Sequence, residues 1–368
     1  MTLLRAPFPW FGGKSRVAHL VWEAFGDVPN YVEPFAGSLA VLLGRPHPAK
    51  IETVNDRDAY LSNFWRAVHA APVEVARWAD WPVNEADLHA RHRWLVDQVE
   101  FRERMMREPE YFDAKIAGWW VWGLCQWIGS GWCSQPSWTG RAGGHRNALG
   151  VQTADEQRRP ALGTGNGVHA SALGKKLPRV GERPWGVTSG GPGRKLPHVH
   201  GNAGTIGVRT KTTSITAWFE ILAERLRRVR VCCGEWDRIL GPSPTTHIGV
   251  TGVFLDPPYG TQADRDTNLY AHDDLTLAAR VHQWALEHGG DRKLRIALCG
   301  YEGEHEALAA AGWRMVPWRS SGGYSVGTNS PGRKNRERER IWFSPHCLTD
   351  AASSPLFARA AAREGAIQ

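Results

Sequence analysis

The 368-residue sequence predicts an α/β fold, a mostly parallel sheet interrupted by a helical and loop-rich insertion. Three observations carry this. The short runs Tyr31-Val32-Glu33 and Ile51-Glu52-Thr53-Val54 each lead into a helical stretch, and that strand–helix–strand–helix alternation builds parallel strands joined by right-handed crossovers. A third apolar run, Gly252-Val253-Phe254-Leu255, reads as a buried strand and stops abruptly in Asp256-Pro257-Pro258-Tyr259. Between these regions, residues 130–213 turn rich in Gly, Pro, Ser, Arg and Lys and lose periodicity.

The elements follow in chain order. Trp10-Phe11-Gly12-Gly13-Lys14-Ser15 reads as a turn that caps a helix beginning near Ser15. A phosphate loop is excluded there, because Phe8 stands where that motif needs glycine and no strand precedes it. Pro34 ends the first strand, and Gly37-Ser38 opens a helix from Leu39 to Leu43. The second strand closes on Asn55-Asp56, and a helix spans Ala59 to Ala70. Residues 72–127 read as mostly helical and end in a tryptophan cluster, Trp119, Trp120, Trp122, Trp127, Trp132 and Trp138, which fits a core better than a base-stacking platform. Regular structure returns with a helix from Ser214 to Arg228 and the strand Val229 to Cys233, followed by the strand into Asp256. A helix from Leu275 to His288, the strand Leu294 to Cys299, a helix from Glu304 to Ala311 and the strand Arg340 to Ser344 complete the order. The resulting division is 1–71 and 214–346 for the sheet domain, 72–213 for the insertion and 347–368 for a flexible tail.

Composition narrows the function classes. With 42% hydrophobic and 22% charged residues the chain is globular, and no apolar run approaches the ~20 residues that span a bilayer. The N-terminal segment lacks the apolar core of a signal peptide, so a cytoplasmic protein is expected. A net charge of +8 favours an anionic partner. The six cysteines show no CxxC spacing, which points to reduced, mostly buried thiols and to neither a zinc site nor a disulfide framework.

In open α/β sheets ligands bind beyond the carboxyl ends of the strands. Three groups fall there: the turn Glu33-Pro34-Phe35-Ala36-Gly37-Ser38, Asp56, and the Asp256 tetrapeptide. Gly37 permits close backbone approach to a ligand, and a carboxylate such as Asp56 can accept both hydroxyls of a ribose. Asp56 is alternatively an N-cap of the next helix, a role Asp58 can also fill. From Arg141 to Lys211 the insertion is strongly basic, carrying Arg141, Arg146, Lys175, Lys176, Arg194, Lys195, Arg209 and Lys211 among others. It reads either as a phosphate-contacting region or as a solvated loop. A second basic run, Arg333 to Arg336, lies near the last strand.

In order, Trp10-Phe11-Gly12-Gly13-Lys14, Glu33-Pro34-Phe35-Ala36-Gly37, Asn55-Asp56 and Asp256-Pro257-Pro258-Tyr259 resemble the motifs of Dam-like (D12 class) DNA adenine N6-methyltransferases, and their arrangement is similar to the alpha group of amino-methyltransferases. The resemblance covers roughly residues 8–70 and 214–345. It implies the Rossmann-like sheet of S-adenosylmethionine-dependent methyltransferases and that compound as methyl donor, with no metal. Trp10 and Lys14 would help bind the donor, Glu33 to Ser38 would approach its methionine part, Asp56 would hold its ribose, and Glu235 and Trp236 would flank its adenine. Asp256, Pro257, Pro258 and Tyr259 would form the catalytic motif: Asp256 and the Pro257 carbonyl accept from the N6 amine, and Tyr259 stacks on a flipped base. One departure is Leu39, where the family often has a second glycine. The implied partner is double-stranded DNA, contacted by a monomer that can belong to a restriction-modification pair with an endonuclease. N4-cytosine methylation and a catalytically inactive DNA-binding relative are the alternative readings. Asp rather than Ser at position 256 favours adenine over cytosine, and Asp rather than Asn disfavours glutamine methylation in proteins.

Overall fold

The computed structural model describes residues 4–10, 14–127, 131–133, 214–258, 276–318 and 338–349. Its strands are β1 (Asn30–Glu33), β2 (Ile51–Asp56), β3 (Val229–Cys233), β4 (Thr251–Leu255), β5 (Leu294–Tyr301), β6 (Arg314–Pro317) and β7 (Glu339–Phe343). They form one sheet in the order β3-β2-β1-β4-β5-β7-β6. β1 pairs in parallel with β2 and β4, β2 with β3, and β4 with β5, while β7 is antiparallel to both β5 and β6. Strand order reverses direction between β1 and β4. The sheet is a mixed α/β, mostly parallel one, consistent with a Rossmann-like methyltransferase fold.

The helices are α1 (Ala18–Phe25), α2 (Ala40–Leu43), α3 (Ala59–Ala70), α4 (Pro72–Ala79), α5 (Glu85–Val96), α6 (Val99–Arg107), α7 (Ala114–Gln126), α8 (Ile215–Leu226), α9 (Leu277–His288) and α10 (Ala307–Ala310). A 3-10 turn over Lys14–Arg16 precedes α1. Side-chain caps set several starts. Asp58 accepts from the Tyr60 and Leu61 amides at the head of α3, and Asn84, Asp113 and Ser214 do the same for α5, α7 and α8.

Alternate strand residues feed two cores, one on each face of the sheet. Tyr31, Phe254, Ala297, Cys299, Ile341 and Phe343 pack with α1, α3 and α8; Val32, Val253, Leu255, Ile296, Leu298 and Trp342 pack with α9 and Trp236. Every residue of β4 is buried, as expected of a strand covered on both sides. Gly252 has no side chain because Phe25 occupies that space: a Cβ there would lie 2.7 Å from the Phe25 ring.

Helices α4 to α7 pack on α3 and α8 and share the first core through Phe101, Met105, Trp120 and Val121. Trp120 and Trp122 are buried, and Trp119 is partly buried. The Arg91 guanidinium lies over the rings of Trp81, Trp119 and Trp122 at 5.3, 5.0 and 4.3 Å. Trp138 lies outside the described residues. The six cysteines are free thiols, and all but the half-buried Cys232 are buried.

Three sequence expectations need correction. β6, a four-residue strand, is absent from the sequence reading; its RMVP composition has no period-two pattern and it pairs only with β7. The helix expected over 304–311 shrinks to α10, because Glu304 accepts from the Tyr301 amide and holds the preceding segment in a turn. The flexible tail does not start at 347: Cys347 is buried, and the Leu348 amide donates to the Ala24 carbonyl at 2.8 Å. Among the described residues, no helix is long and apolar enough to cross a membrane.

Candidate active site at the carboxyl ends of the parallel strands

Because β1, β2, β3 and β4 run parallel, Glu33, Asp56, Cys233 and Leu255 end at one edge of the sheet. The turn after β1 is drawn onto β2 by two bonds. The Ala36 amide donates to the Asn55 carbonyl at 2.9 Å, and the Gly37 amide donates to Asp56 Oδ2 at 3.1 Å. Asp56 Oδ1 accepts from the Asp58 amide at 2.9 Å. Asp58 is the cap of α3, so the half-buried Asp56 carboxylate is not the N-cap and keeps lone pairs for other hydroxyls. Burial raises its pKa to about 7, aided by the neighbouring Asp58 charge and opposed by the amides of Asp58 and Gly37.

Gly37 sits at φ +47°, and a Cβ there would lie 2.7 Å from Trp10 Nε1. The Trp10 indole therefore rests directly on the glycine backbone, while the Trp65 indole donates to the Gly37 carbonyl at 3.0 Å. Leu39, where the family pattern often has glycine, also adopts a left-handed conformation, φ 53° and ψ 28°. That conformation costs a non-glycine residue about 1–2 kcal/mol. Leu39 is fully buried, and burying such a side chain contributes about 1.5–3 kcal/mol, enough to offset the strain.

Asn55 is a site residue the sequence reading did not assign. Its Nδ2 donates to the Pro34 carbonyl at 3.2 Å and the Gly234 carbonyl at 3.0 Å, tying the turn after β1 to the turn after β3. The signal for it was its place at a strand end beside Asp56. Trp236 is buried and stacked on Phe35, centroids 6.0 Å apart and planes 20° apart. Glu235 pairs instead with Arg57 at 3.3 Å on the surface.

Lys14 is brought to the far side of this edge. It is only 4% exposed, and its Nζ lies 2.9 Å from Asp256 Oδ1. Burial works against its charge, but the carboxylates of Asp256 and Glu339 outweigh burial and hold its pKa above the usual lysine value. Glu33, 2% exposed, accepts from the Tyr31 hydroxyl at 2.9 Å. Burial, together with the charge of Asp256, pushes its carboxyl well above the usual range despite the Tyr31 bond. Cys299 is held as a neutral thiol by burial and by the charge of Asp256.

The sequence-predicted residues Trp10, Lys14, Glu33 to Ser38, Asp56, Asp256, Pro257 and Pro258 thus gather at one edge of the sheet. A solvent-open cleft of about 180 Å³, lined in part by Phe8, Ser15 and Ala40, touches this set at Trp10 and Ser38. Tyr259 lies outside the described residues, as do Arg141, Arg146, Lys175, Lys176, Arg194, Lys195, Arg209, Lys211 and the 333–336 run.

A mostly parallel sheet with a glycine turn, the Asp56 carboxylate and an Asp-Pro-Pro sequence at its carboxyl edge is consistent with a Rossmann-like methyltransferase fold. The family model for D12 class N6 adenine-specific DNA methyltransferases matches residues 10–113, from Trp10 through β1, β2 and the helices up to the cap of α7. That match implies DNA adenine methylation. No curated protein matches the chain.

Proposed function

We propose that the protein transfers a methyl group from S-adenosylmethionine to N6 of an adenine flipped out of duplex DNA, at a site set by the insertion. The observation that carries this reading is the Lys14–Asp256 contact, which joins the first and last motifs of the family pattern across the strand-order reversal. The residues present fit the donor. A half-buried carboxylate suits ribose hydroxyls, the Gly37 turn lets backbone approach closely, and Phe35 on Trp236 offers an apolar wall. Trp10, Lys14, Glu33, Pro34, Phe35, Ala36, Gly37, Ser38, Asp56 and Asp256 would line its site.

When bound, S-adenosylmethionine supplies an electrophilic methyl group on a sulfonium. The work of the chain is to make a poor nucleophile attack. The N6 lone pair of adenine is delocalised into the ring. Asp256 accepts one N6 hydrogen and the Pro257 carbonyl accepts the other, so the amine is held with its lone pair turned out of the ring plane. Pro258 fixes the turn, and Tyr259 stacks on the flipped base. The Asp256 carboxylate faces the nitrogen as positive charge develops there, and the surplus amine proton leaves along that hydrogen bond. Flipping the base costs roughly a few kcal/mol, which phosphate contacts from the basic insertion offset. The enzyme acts in the cytoplasm of a prokaryotic or phage-infected cell, as a monomer, with or without an endonuclease that cuts the same site.

The test is incubation of purified protein with duplex DNA and methyl-labelled donor, followed by nucleoside analysis. Label in N6-methyladenosine supports the reading; label in N4-methylcytosine, or none with the donor site intact, sinks it.

A further inference from the structure

Gly123, near the end of α7, leaves a slot that a side chain of its own would close: a Cβ there would fall inside the six-membered ring of Trp132. The Trp132 indole donates to the Trp120 carbonyl at 3.0 Å. Its ring centroid lies 5.3 Å from those of His92 and of Trp127. Cys133, the next residue, is 4% exposed and takes a left-handed conformation, φ +59°. Its amide donates to His92 Nδ1 at 3.3 Å, and its carbonyl accepts from Arg102 Nη2 at 3.0 Å. Left-handed backbone is costly for a residue other than glycine and persists only where its surroundings over-determine it. Here α5, α6 and α7 each contribute, through His92, Arg102 and Gly123.

Cys133 is also the last described residue before the basic insertion. The wall that holds it continues to the turn after β1. Trp120 meets Phe8 edge-on with centroids 5.4 Å apart, Phe8 meets Trp10 at 5.9 Å, and Trp10 rests on Gly37. Cys125 Sγ reaches the Pro7 carbonyl at 3.8 Å, beside the same segment. The root of the insertion and the Gly37 turn therefore share one continuous aromatic stack. With Trp132 out of the slot, the last held point among the described residues becomes Gln126 at the end of α7, and a chain of that length reaches about 20 Å. A root free over that distance lowers the effective concentration of the insertion's basic groups at the sheet edge.

We infer that Trp132, seated in the slot that Gly123 leaves open, is a positioning residue for the DNA substrate: it fixes the root of the basic insertion against the aromatic stack that carries the donor turn. This rests on the proposed DNA methylation. It gives one tryptophan of the cluster a task in substrate binding and explains why a glycine stands inside α7.

Two measurements test it. Alanine is a better helix former than glycine, so Gly123→Ala keeps α7 while closing the slot. The first measurement needs no activity: chymotrypsin cleavage after Trp132 in the full chain, followed by mass spectrometry. Gly123→Ala is cut there at least about tenfold faster than wild type, because the seated ring shields the bond. The second is steady-state methyl transfer to unmethylated plasmid DNA amplified in vitro, well below the thermal midpoint, with donor Kd by calorimetry. Gly123→Ala and Trp132→Ala each raise the KM for DNA at least about tenfold. Their kcat and donor Kd stay within about threefold of wild type, and Trp132→Phe, which keeps a ring in the slot, stays within about threefold in KM. A purely structural role would lower the thermal midpoint and leave the KM for DNA at the wild-type value; that result, or equal cleavage of wild type and Gly123→Ala, would overturn the inference. If Gly123→Ala does not fold, Trp132→Ala and Trp132→Phe decide by the same KM criterion. A wild type that binds donor but methylates no DNA sinks the proposed function and this inference with it, whereas a wild type that methylates DNA, with KM unmoved in the variants, sinks the inference alone.

Discussion

The 2.9 Å contact between Lys14 and Asp256 makes alanine a poor probe at position 256, because it would strip a buried ammonium of its nearest partner. Breaking one side of a buried ion pair typically costs about 3–5 kcal/mol. Asp256→Asn keeps the shape and removes the charge. It is expected to lower single-turnover methyl transfer by about 10²- to 10³-fold, the size of losing one preorganised electrostatic group, with DNA affinity near wild type and a thermal midpoint that drops less than in the alanine variant, because the amide oxygen still accepts from Lys14. Retained activity in that variant would refute the role given to Asp256. Asp56 supplies a pH test. Its pKa of about 7 means the carboxylate, the better acceptor of ribose hydroxyls, forms as pH rises through neutrality. Donor affinity by calorimetry should therefore strengthen by about tenfold between pH 6 and pH 8, and Asp56→Asn should flatten that dependence. The stability contribution has the opposite sign. Its folded pKa lies above the ordinary 3.8, so the folded chain keeps a proton the unfolded chain has released, and this contribution is lost as pH rises from about 4 through about 7. Asp56 and Asp256 were legible in the sequence because each ends an apolar run. Lys14 was legible as a motif residue, but its contact with Asp256 was not, since residues so far apart meet only through the order of the strands.

At the scale of elements, the turn between β1 and α2 concentrates the strain. Gly37 and Leu39 both take positive φ, two residues apart. Gly37→Ala would add left-handed strain of about 1–2 kcal/mol and push a methyl group against the Trp10 indole. The expected outcome is at least a tenfold loss of donor affinity, with DNA binding by a gel-shift assay unchanged. An unchanged donor Kd would remove this turn from the donor site. Asn55 is the second element-level device, since one amide group satisfies carbonyls from two turns. Asn55→Ala leaves both carbonyls short of a donor, and a destabilisation of about 2 kcal/mol in urea unfolding is expected. A loss under about half a kcal/mol would mean the turns hold themselves. β4 was readable as a buried apolar run ending in turn residues, and β1 and β2 because each leads into a helical stretch. β6 was not, because a short strand paired only with β7 needs no apolar pattern of its own.

Across the whole molecule, two cores on opposite faces hold the strand ends rigid, and the carboxyl edge is where Trp10, Lys14, Asp56 and Asp256 converge. The rigid sheet gathers Asp56 and Asp256 at one edge, and on the proposed function this brings the donor site and the amine acceptors together. On that reading the choice of a DNA sequence falls to the basic insertion, whose charges give the chain most of its +8. The electrostatic account makes a quantitative demand. Each phosphate neutralised by a lysine or arginine steepens the dependence of log affinity on log salt by about 0.9 for duplex DNA. Replacing Arg141, Arg146, Lys175, Lys176, Arg194, Lys195, Arg209 and Lys211 by glutamine should therefore flatten the salt slope by several units, with donor Kd and thermal midpoint held. Replacing Arg104 and Arg107, paired with Glu108 and Glu103 on α6, should leave the slope alone. If the eightfold variant binds duplex DNA with the wild-type slope, the insertion is a solvated loop and the phosphate contacts must be sought on another face of the sheet domain.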